Sequence, residues 1–422
     1  MITKIVKEYD MHPQAEKVLE QVNKQDILDL ACNLITTPSF KNQETKLADW
    51  LANYFSKRGY FVDLQEVDPG RFQTIAILKG TGIGKSLMFN GHIDNDSITH
   101  GWKRDPFTPT IEDDRLYGCG IYNMKGGVVS NIMAAEAIRK AQVELKGDLI
   151  IACVVGELQG GVGTVHMLNH TPIRADMAVI TEPKGSDNII TTHGGITEMA
   201  ISTIGNTRHV SHKEDSVDAL EKMLKVVTAL NTMEFSHKPH PDLPGLPRLL
   251  IGGIIGGRGK EYDLKAPYYT CDYCTIFVDI RLVPSMTSES VEGDIRKVLD
   301  EIKKYDPTFE YEIEHPPAAE RGIFRVPMDP LNVPNDAYIV EALTRSYQFI
   351  EGKNPELIGT KLPAAYATDA SHLWRAGIPA VIYGPEGSDG TELEADNYIS
   401  ISAMEKVTKV LALTALDVCN SL

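Results

Sequence analysis

No run of 18 or more apolar residues occurs in this sequence, and Met1 to Asp10 carries no apolar core of the kind a secretory signal needs. The expectation is a soluble, cytoplasmic protein. An excess of basic charge is missing too: 42 Lys and Arg face 58 Asp and Glu, a net charge of −16. That balance argues against nucleic acid or an anionic membrane as partner. Cysteine is scarce, six in 422 residues, which fits a reducing compartment better than a disulfide framework. Cys271-Asp272-Tyr273-Cys274 has no second pair and precedes the strand Thr275 to Leu282, where residues three apart face opposite sides, so it is taken as two small buried residues. A phosphate loop is absent as well. In Gly80-Thr81-Gly82-Ile83-Gly84-Lys85-Ser86 the first glycine's place is held by Lys79 and no helix follows, so the segment is expected to be a hairpin turn between Ile75 to Leu78 and Leu87 to Asn90. Gly252 to Lys260 lacks the helix of a dinucleotide fingerprint and is expected to be a flexible loop. No internal repeat or low-complexity tract is present.

The length of 422 residues allows two domains with a sizeable core. The opening twenty-odd residues and Gln25 to Thr36 look helical, and Asn42 to Arg58 is amphipathic, with Leu47, Leu51 and Phe55 on one face. After Gly59, apolar strands alternate with helices: 61 to 66, 74 to 78 and 87 to 90, helix 126 to 140, strand 148 to 155, helix 161 to 169, strand 177 to 181. This predicts an α/β sheet covered by helices on both faces. From about Ile196 to Glu314 the order changes to strand, helix, strand, strand, helix, the βαββαβ pattern of a small α+β domain. The expected division is 1–195 with 315–422, and 196–314 inserted between them.

Ligands of such sheets bind beyond the carboxyl ends of the strands. Gly91-His92-Ile93-Asp94 ends one strand, Gly156-Glu157-Leu158 follows the next, and Thr181-Glu182-Pro183 follows a third. In an extended segment residues two apart point to one side, so His92 can offer a ring nitrogen to a metal while Asp94 holds its other N–H. Taken alone the tetrapeptide is better read as a satisfied loop histidine.

Further blocks follow in order: Tyr117-Gly118-Cys119-Gly120-Ile121-Tyr122-Asn123-Met124-Lys125-Gly126-Gly127, Val278-Asp279-Ile280-Arg281, Thr368-Asp369-Ala370 and Gly377-Ile378-Pro379 to Pro385. With the three strand ends they resemble, from about residue 25 to 415, the metallopeptidase family of acetylornithine deacetylase, succinyl-diaminopimelate desuccinylase, aminoacylase and carboxypeptidase G. The resemblance implies a zinc-peptidase-like catalytic domain, an inserted lid that also pairs two subunits as a homodimer, and hydrolysis of a C–N bond. It assigns His92 and Glu182 to a first metal, Asp94 to orienting His92, and Glu157 to the general base. At three positions the chain departs from the family pattern. Asn123 stands for a bridging Asp, Leu158 for a second-metal Glu, and Gly390 to Tyr398 lacks a metal-binding His. With neutral groups in place of two carboxylates, two adjacent cations would repel each other uncompensated. One divalent ion, Zn, Mn or Co, is therefore expected on His92, Asn123 and Glu182, with Glu392 or Glu394 as a candidate replacement ligand.

The resemblance also implies that His209 donates to the scissile carbonyl oxygen, often in the partner subunit's site, and that Arg281 clamps a substrate carboxylate. A surface loop histidine, with His212 nearby, and an ion pair of Arg281 with Asp279 or Asp215 are the alternatives. The leading expectation is a metal-dependent hydrolase of a small carboxylated substrate such as an N-acyl amino acid, with Glu157 taking a proton from water. Hydrolytic deamination at a ring amine or imine, with Leu158 packing on the substrate, and an inactive small-molecule-binding homologue are the alternatives.

Overall fold

The computed structural model describes residues 12–98, 100–171, 173–318, 325–360, 365–388 and 395–422. By its packing the chain divides into two units: the described residues up to Thr191 with Val333–Ile358 and Thr368–Leu422, and Thr192–Asn332 with Gly359–Ala367. The return crossing thus lies at 332/333 rather than 314/315, and a further short stretch, Gly359–Ala367, packs with the second unit. Ile196 and Met328 exchange backbone hydrogen bonds, which holds the segment after the last strand of the insert to that unit.

The first unit opens with helices α1 (Ala15–Leu19), α2 (Lys24–Ile35) and α3 (Thr45–Ser56), strands β1 (Phe61–Asp68), β2 (Arg71–Leu78), β3 (Leu87–His92), β4 (Thr110–Glu112) and β5 (Arg115–Tyr117), and helix α4 (Gly126–Lys140). It continues through β6 (Leu149–Val154), α5 (Val162–His170), β7 (Met177–Ile180) and β8 (Asn188–His193). The second unit contributes β9 (Gly195–Ile204), α6 (Ala219–Asn231), β10 (Arg248–Gly257), β11 (Tyr273–Leu282), α7 (Ser288–Tyr305), β12 (Glu310–Glu314) and β13 (Leu331–Asn332). Then follow α8 (Tyr338–Glu351), β14 (Glu356–Gly359), α9 (Ala370–Arg375), β15 (Ala380–Ile382), β16 (Tyr398–Ser400) and α10 (Ile401–Asn420).

The main sheet runs β1-β2-β6-β3-β7-β15-β8, with β6, β3, β7 and β15 mutually parallel. β3 and β6 are buried at every position, so each needs hydrogen-bonding neighbours on both sides. That requirement overturns the hairpin expected at residues 80 to 86. β6 lies between β2 and β3, and the connection is held across it by Thr81 and Gly82 N–H groups donating to the Leu145 and Lys146 carbonyls. Helices α4 and α10 pack against each other, and α4 is buried from Gly126 to Ile138.

In the second unit a β10-β11-β9-β12 sheet carries α6 and α7 around a core of Met199, Ile201, Met223, Ile276, Ile295 and Leu299. The order β9-α6-β10-β11-α7-β12 is the expected βαββαβ pattern. Residues Gly252 to Gly257 are strand rather than loop, and after a bulge between Ile251 and Gly253 residues Gly253 to Gly257 pair with Phe277 to Tyr273 on β11. Cys271 and Cys274 do not face opposite ways, since both sulfurs approach Gly256. Cys271 precedes β11, so the strand alternation does not apply to it. Among the described residues no helix is long and apolar enough to cross a membrane.

Candidate metal centre

Strand register builds the site. His92 pairs with Val154 on β6, and Asn90 pairs with Ile180 on β7. Glu182, two residues past Ile180, is therefore level with His92, and Glu157 follows three residues past Val154. One imidazole and two carboxylates so leave three adjacent parallel strands at their carboxyl ends. A ligand atom from each of His92, Glu157 and Glu182 lies within 4.8 Å of the others. Asn123 arrives from the turn Ile121–Lys125 that precedes α4. The start of α4 sits this close to β7 because Gly127 has no side chain: a Cβ there would stand 2.1 Å from the Thr181 carbonyl oxygen. Buried Lys125 fixes the same turn by donating to the Leu34 and Thr37 carbonyls at 2.8 and 3.0 Å, and burial pushes its pKa down to about 7.

The His92 Nε2 lies 3.2 Å from Asn123 Oδ1, 3.5 Å from Glu182 Oε1 and 3.9 Å from Glu157 Oε2. Its Nδ1 is 3.0 Å from the Asp94 carbonyl and 3.5 Å from the Asp94 carboxylate. The group orienting the ring is thus the Asp94 carbonyl, with the carboxylate farther off, which corrects the expected pairing. That carboxylate is spent on the next strand end, accepting the N–H groups of Gly156, Glu157 and Leu158 at 2.8, 3.3 and 3.1 Å. Backbone donors attract an anion strongly, and Asp94 is fully buried.

With Nδ1–H given to the carbonyl, Nε2 presents a lone pair to the Asn123 oxygen, and two acceptors this close need a proton or a cation between them. Donors of one tetrahedral ion bound at about 2.0–2.2 Å stand about 3.3–3.6 Å apart, the spacing of His92 to Asn123 and Glu182 within a few tenths of an ångström. Charge gives the same answer. Burial lowers the His92 pKa, but Asp94, Glu157, Glu182 and Asp369 outweigh it and push it up to about 9. Burial raises Glu157, and neighbouring Glu182 raises it further against the opposing pull of His92. One imidazole thus faces several buried acids, so the donor set fits a divalent cation.

Other sequence-predicted residues are placed as follows. Leu158 is half-buried in the turn bound by Asp94. In the second unit His209 is exposed and its Nδ1 lies 2.8 Å from Ser211 Oγ. Arg281 gives Nε and Nη2 to the Asp279 carboxylate at 2.7 and 3.0 Å and Nη1 to the Ala365 carbonyl, the ion-pair alternative. Glu392 and Glu394 lie outside the described residues.

The sequence pattern gives Asp369 no role. Its carboxyl is 1% exposed, and burial and the nearby acids push its pKa up to about 7. Oδ1 has no hydrogen-bond partner among the described residues, and it abuts Gly161 at the end of the turn that carries Glu157. His372 Nε2 meets the Gly160 carbonyl at 2.8 Å. Gly161 has φ +78°, and a Cβ there would lie 2.4 Å from Asp369 Oδ1. Gly161→Ala is therefore expected to destabilise the protein by about 1–3 kcal/mol through backbone strain alone, with the clash adding to it. The drop in urea midpoint measures this, and an unchanged midpoint would mean that the turn is not clamped.

Main-chain turns and buried acids converging on one imidazole at the carboxyl ends of parallel strands make a candidate metal site in an α/β fold. The sequence pattern of peptidase family M20/M25/M40 matches residues 88–417. This chain belongs to that family and is a hydrolase of C–N bonds. It is 28% identical over 422 residues to the N-formyl-4-amino-5-aminomethyl-2-methylpyrimidine deformylase of Bacillus subtilis, covering 94% of this chain and 95% of that one. To the acetylornithine deacetylase of Proteus mirabilis it is 28% identical over 407 residues, covering 93% and 96%. A tripeptidase from Staphylococcus aureus has the same fold, with TM-score 0.73 at 16% identity and coverage of 94% and 99%. A dinuclear metal binding peptidase from Bacillus subtilis superposes with TM-score 0.67 at 14% identity, covering 94% and 99%.

Proposed function

We propose that this protein removes a small acyl group, formyl or acetyl, from the nitrogen of a small amine with the help of one divalent ion, Zn, Mn or Co. The observation that carries the reading is the convergence of His92, Glu157 and Glu182 from three neighbouring strand ends. His92, Asn123 and Glu182 hold the ion. When bound, the ion supplies a polarised carbonyl and a more acidic water. Glu157, farthest from the imidazole at 3.9 Å, takes the proton and returns it to the departing amine. Leu158 stands where the family pattern carries a carboxylate, which supports one ion rather than two, and it packs against the substrate. Asp94 orients the imidazole and the turn together.

His209 is the donor to the developing oxyanion, supplied by the partner subunit of a homodimer. β10 supports such a dimer: it is the outer strand of its sheet, and Leu250, Ile254 and Ile255 are exposed on it, as are Leu220 and Leu224 on α6. A substrate carboxylate reaches Arg281 by replacing Asp279 on its fork. Proteus acetylornithine deacetylase and Bacillus pyrimidine deformylase mark the range of amine parts, an amino acid and a heterocycle. Six free cysteines support a cytoplasmic setting.

The test is a panel of N-formyl and N-acetyl amines incubated with the metal-loaded protein, with formate, acetate and ammonia measured separately. Release of formate or acetate is expected. Ammonia alone would mean hydrolytic deamination, and binding without any product would mean an inactive homologue.

A further inference from the structure

In the second unit His209 stands beside a pair of touching tyrosines. Its ring centroid is 5.8 Å from that of Tyr268 and 5.6 Å from that of Tyr269, and the tyrosines are 5.1 Å apart. The interplanar angles are 55°, 81° and 45°, so a flat guest stacked on one ring meets another edge-on. The backbone fixes the grouping: His209 bridges Tyr269, and the Val210 N–H donates to the Tyr268 carbonyl at 2.8 Å. The Arg258 guanidinium lies 5.1 Å from the Tyr269 ring centre and pairs with Asp263. Tyr268 is 53% exposed and Tyr269 36%, although rings of this size ordinarily bury most of their surface.

A general proton donor to an oxyanion needs one polar side chain and no aromatic neighbours. Two exposed π-faces beside it call for a ligand that stacks. We infer that Tyr268 and Tyr269 form a stacking shelf that selects acylated amines whose amine part carries a planar nitrogen heterocycle. This rests on the reading that His209 meets the substrate. An aliphatic amino acid offers the shelf no flat face, so the shelf acts on the choice of substrate and leaves the chemical step alone.

The experiment uses the full chain, metal-loaded, as wild type, Tyr268→Leu/Tyr269→Leu, Tyr268→Phe/Tyr269→Phe and His209→Asn. One readout is turnover of an N-formyl-aminomethylpyrimidine and of N-acetylornithine. The other is calorimetric binding of the product 5-aminomethylpyrimidine, which needs no turnover. The leucine pair keeps apolar area and removes the π-faces. It is expected to raise KM for the heterocyclic substrate and Kd for its product roughly ten- to a hundredfold, the worth of one or two stacked rings, with kcat and all constants for N-acetylornithine unchanged. The phenylalanine pair, which keeps both faces, is expected to match wild type. An equal Kd in the wild type and the leucine pair, or an equal loss in the leucine and phenylalanine pairs, overturns the shelf. A leucine pair that changes the mass in light scattering without changing Kd assigns the tyrosines to a subunit contact and overturns it too. His209→Asn tests the underlying reading separately: kcat falls on both substrates if it holds and stays level if it fails, while the Kd of the leucine pair judges the shelf either way.

Discussion

Glu157→Gln is expected to lower kcat by roughly two to four orders of magnitude with KM almost unchanged, the usual worth of a positioned general base. The substitution is isosteric, and the turn that carries residue 157 is held through main-chain N–H groups by Asp94, so the turn survives the exchange. Only the ability to accept a proton is lost. Of the three groups facing His92 Nε2, Glu157 is the most distant, and metal content by plasma mass spectrometry is accordingly expected to stay at one ion per chain. Undiminished turnover would remove Glu157 from the chemistry. Loss of the ion together with activity would instead make it a ligand.

Stripping the protein with a chelator is expected to abolish turnover, and one equivalent of Zn, Mn or Co to restore it; His92→Ala should not bind the ion at all. Restoration that needs two equivalents would show that Asn123 and Leu158 do not preclude a second site. The stripped protein should also show the charge problem directly. The folded pKa of His92, about 9, is above its ordinary 6.5, so its contribution to stability is complete below about 6.5 and is lost as pH rises towards 9. Asp369, raised from 3.8 to about 7, acts in the same direction at lower pH, binding a proton more tightly when folded. The Tm of the stripped protein is therefore expected to fall as pH rises from about 6.5 to 9, and a saturating ion to flatten the curve. A Tm of the stripped protein that is level across this range would mean that the buried acids are already neutralised by another group.

The parts of this site visible in the sequence are those on regular strands. His92, Glu157 and Glu182 follow apolar runs whose direction and burial the sequence makes plain, and parallel pairing then brings their ends together. The βαββαβ insert was legible for the same reason, in the alternation of its apolar strands with amphipathic helices. What failed was non-local. The 80 to 86 connection reads locally as a hairpin because nothing within it signals that β6 lies between its two strands. Gly252 to Gly257 reads as a loop because its pairing is imposed by β11 and not by its own residues. Asp369 was missed because its meaning comes from contacts with Gly161 and Thr164, some two hundred positions away. The partner of Arg281 was open in the sequence because a guanidinium takes any carboxylate that folding brings to it, and here that is its neighbour two residues back.

Asp94 grips the turn at 156 to 158 by main-chain N–H groups, which nineteen of the twenty amino acids supply alike. The scaffold of the turn is consequently indifferent to what stands at 158. A carboxylate there can be exchanged for leucine without disturbing residue 157, so the side chain that faces metal or substrate can change while the base stays in register. In evolutionary terms the fold separates what must be inherited from what is free to be tried.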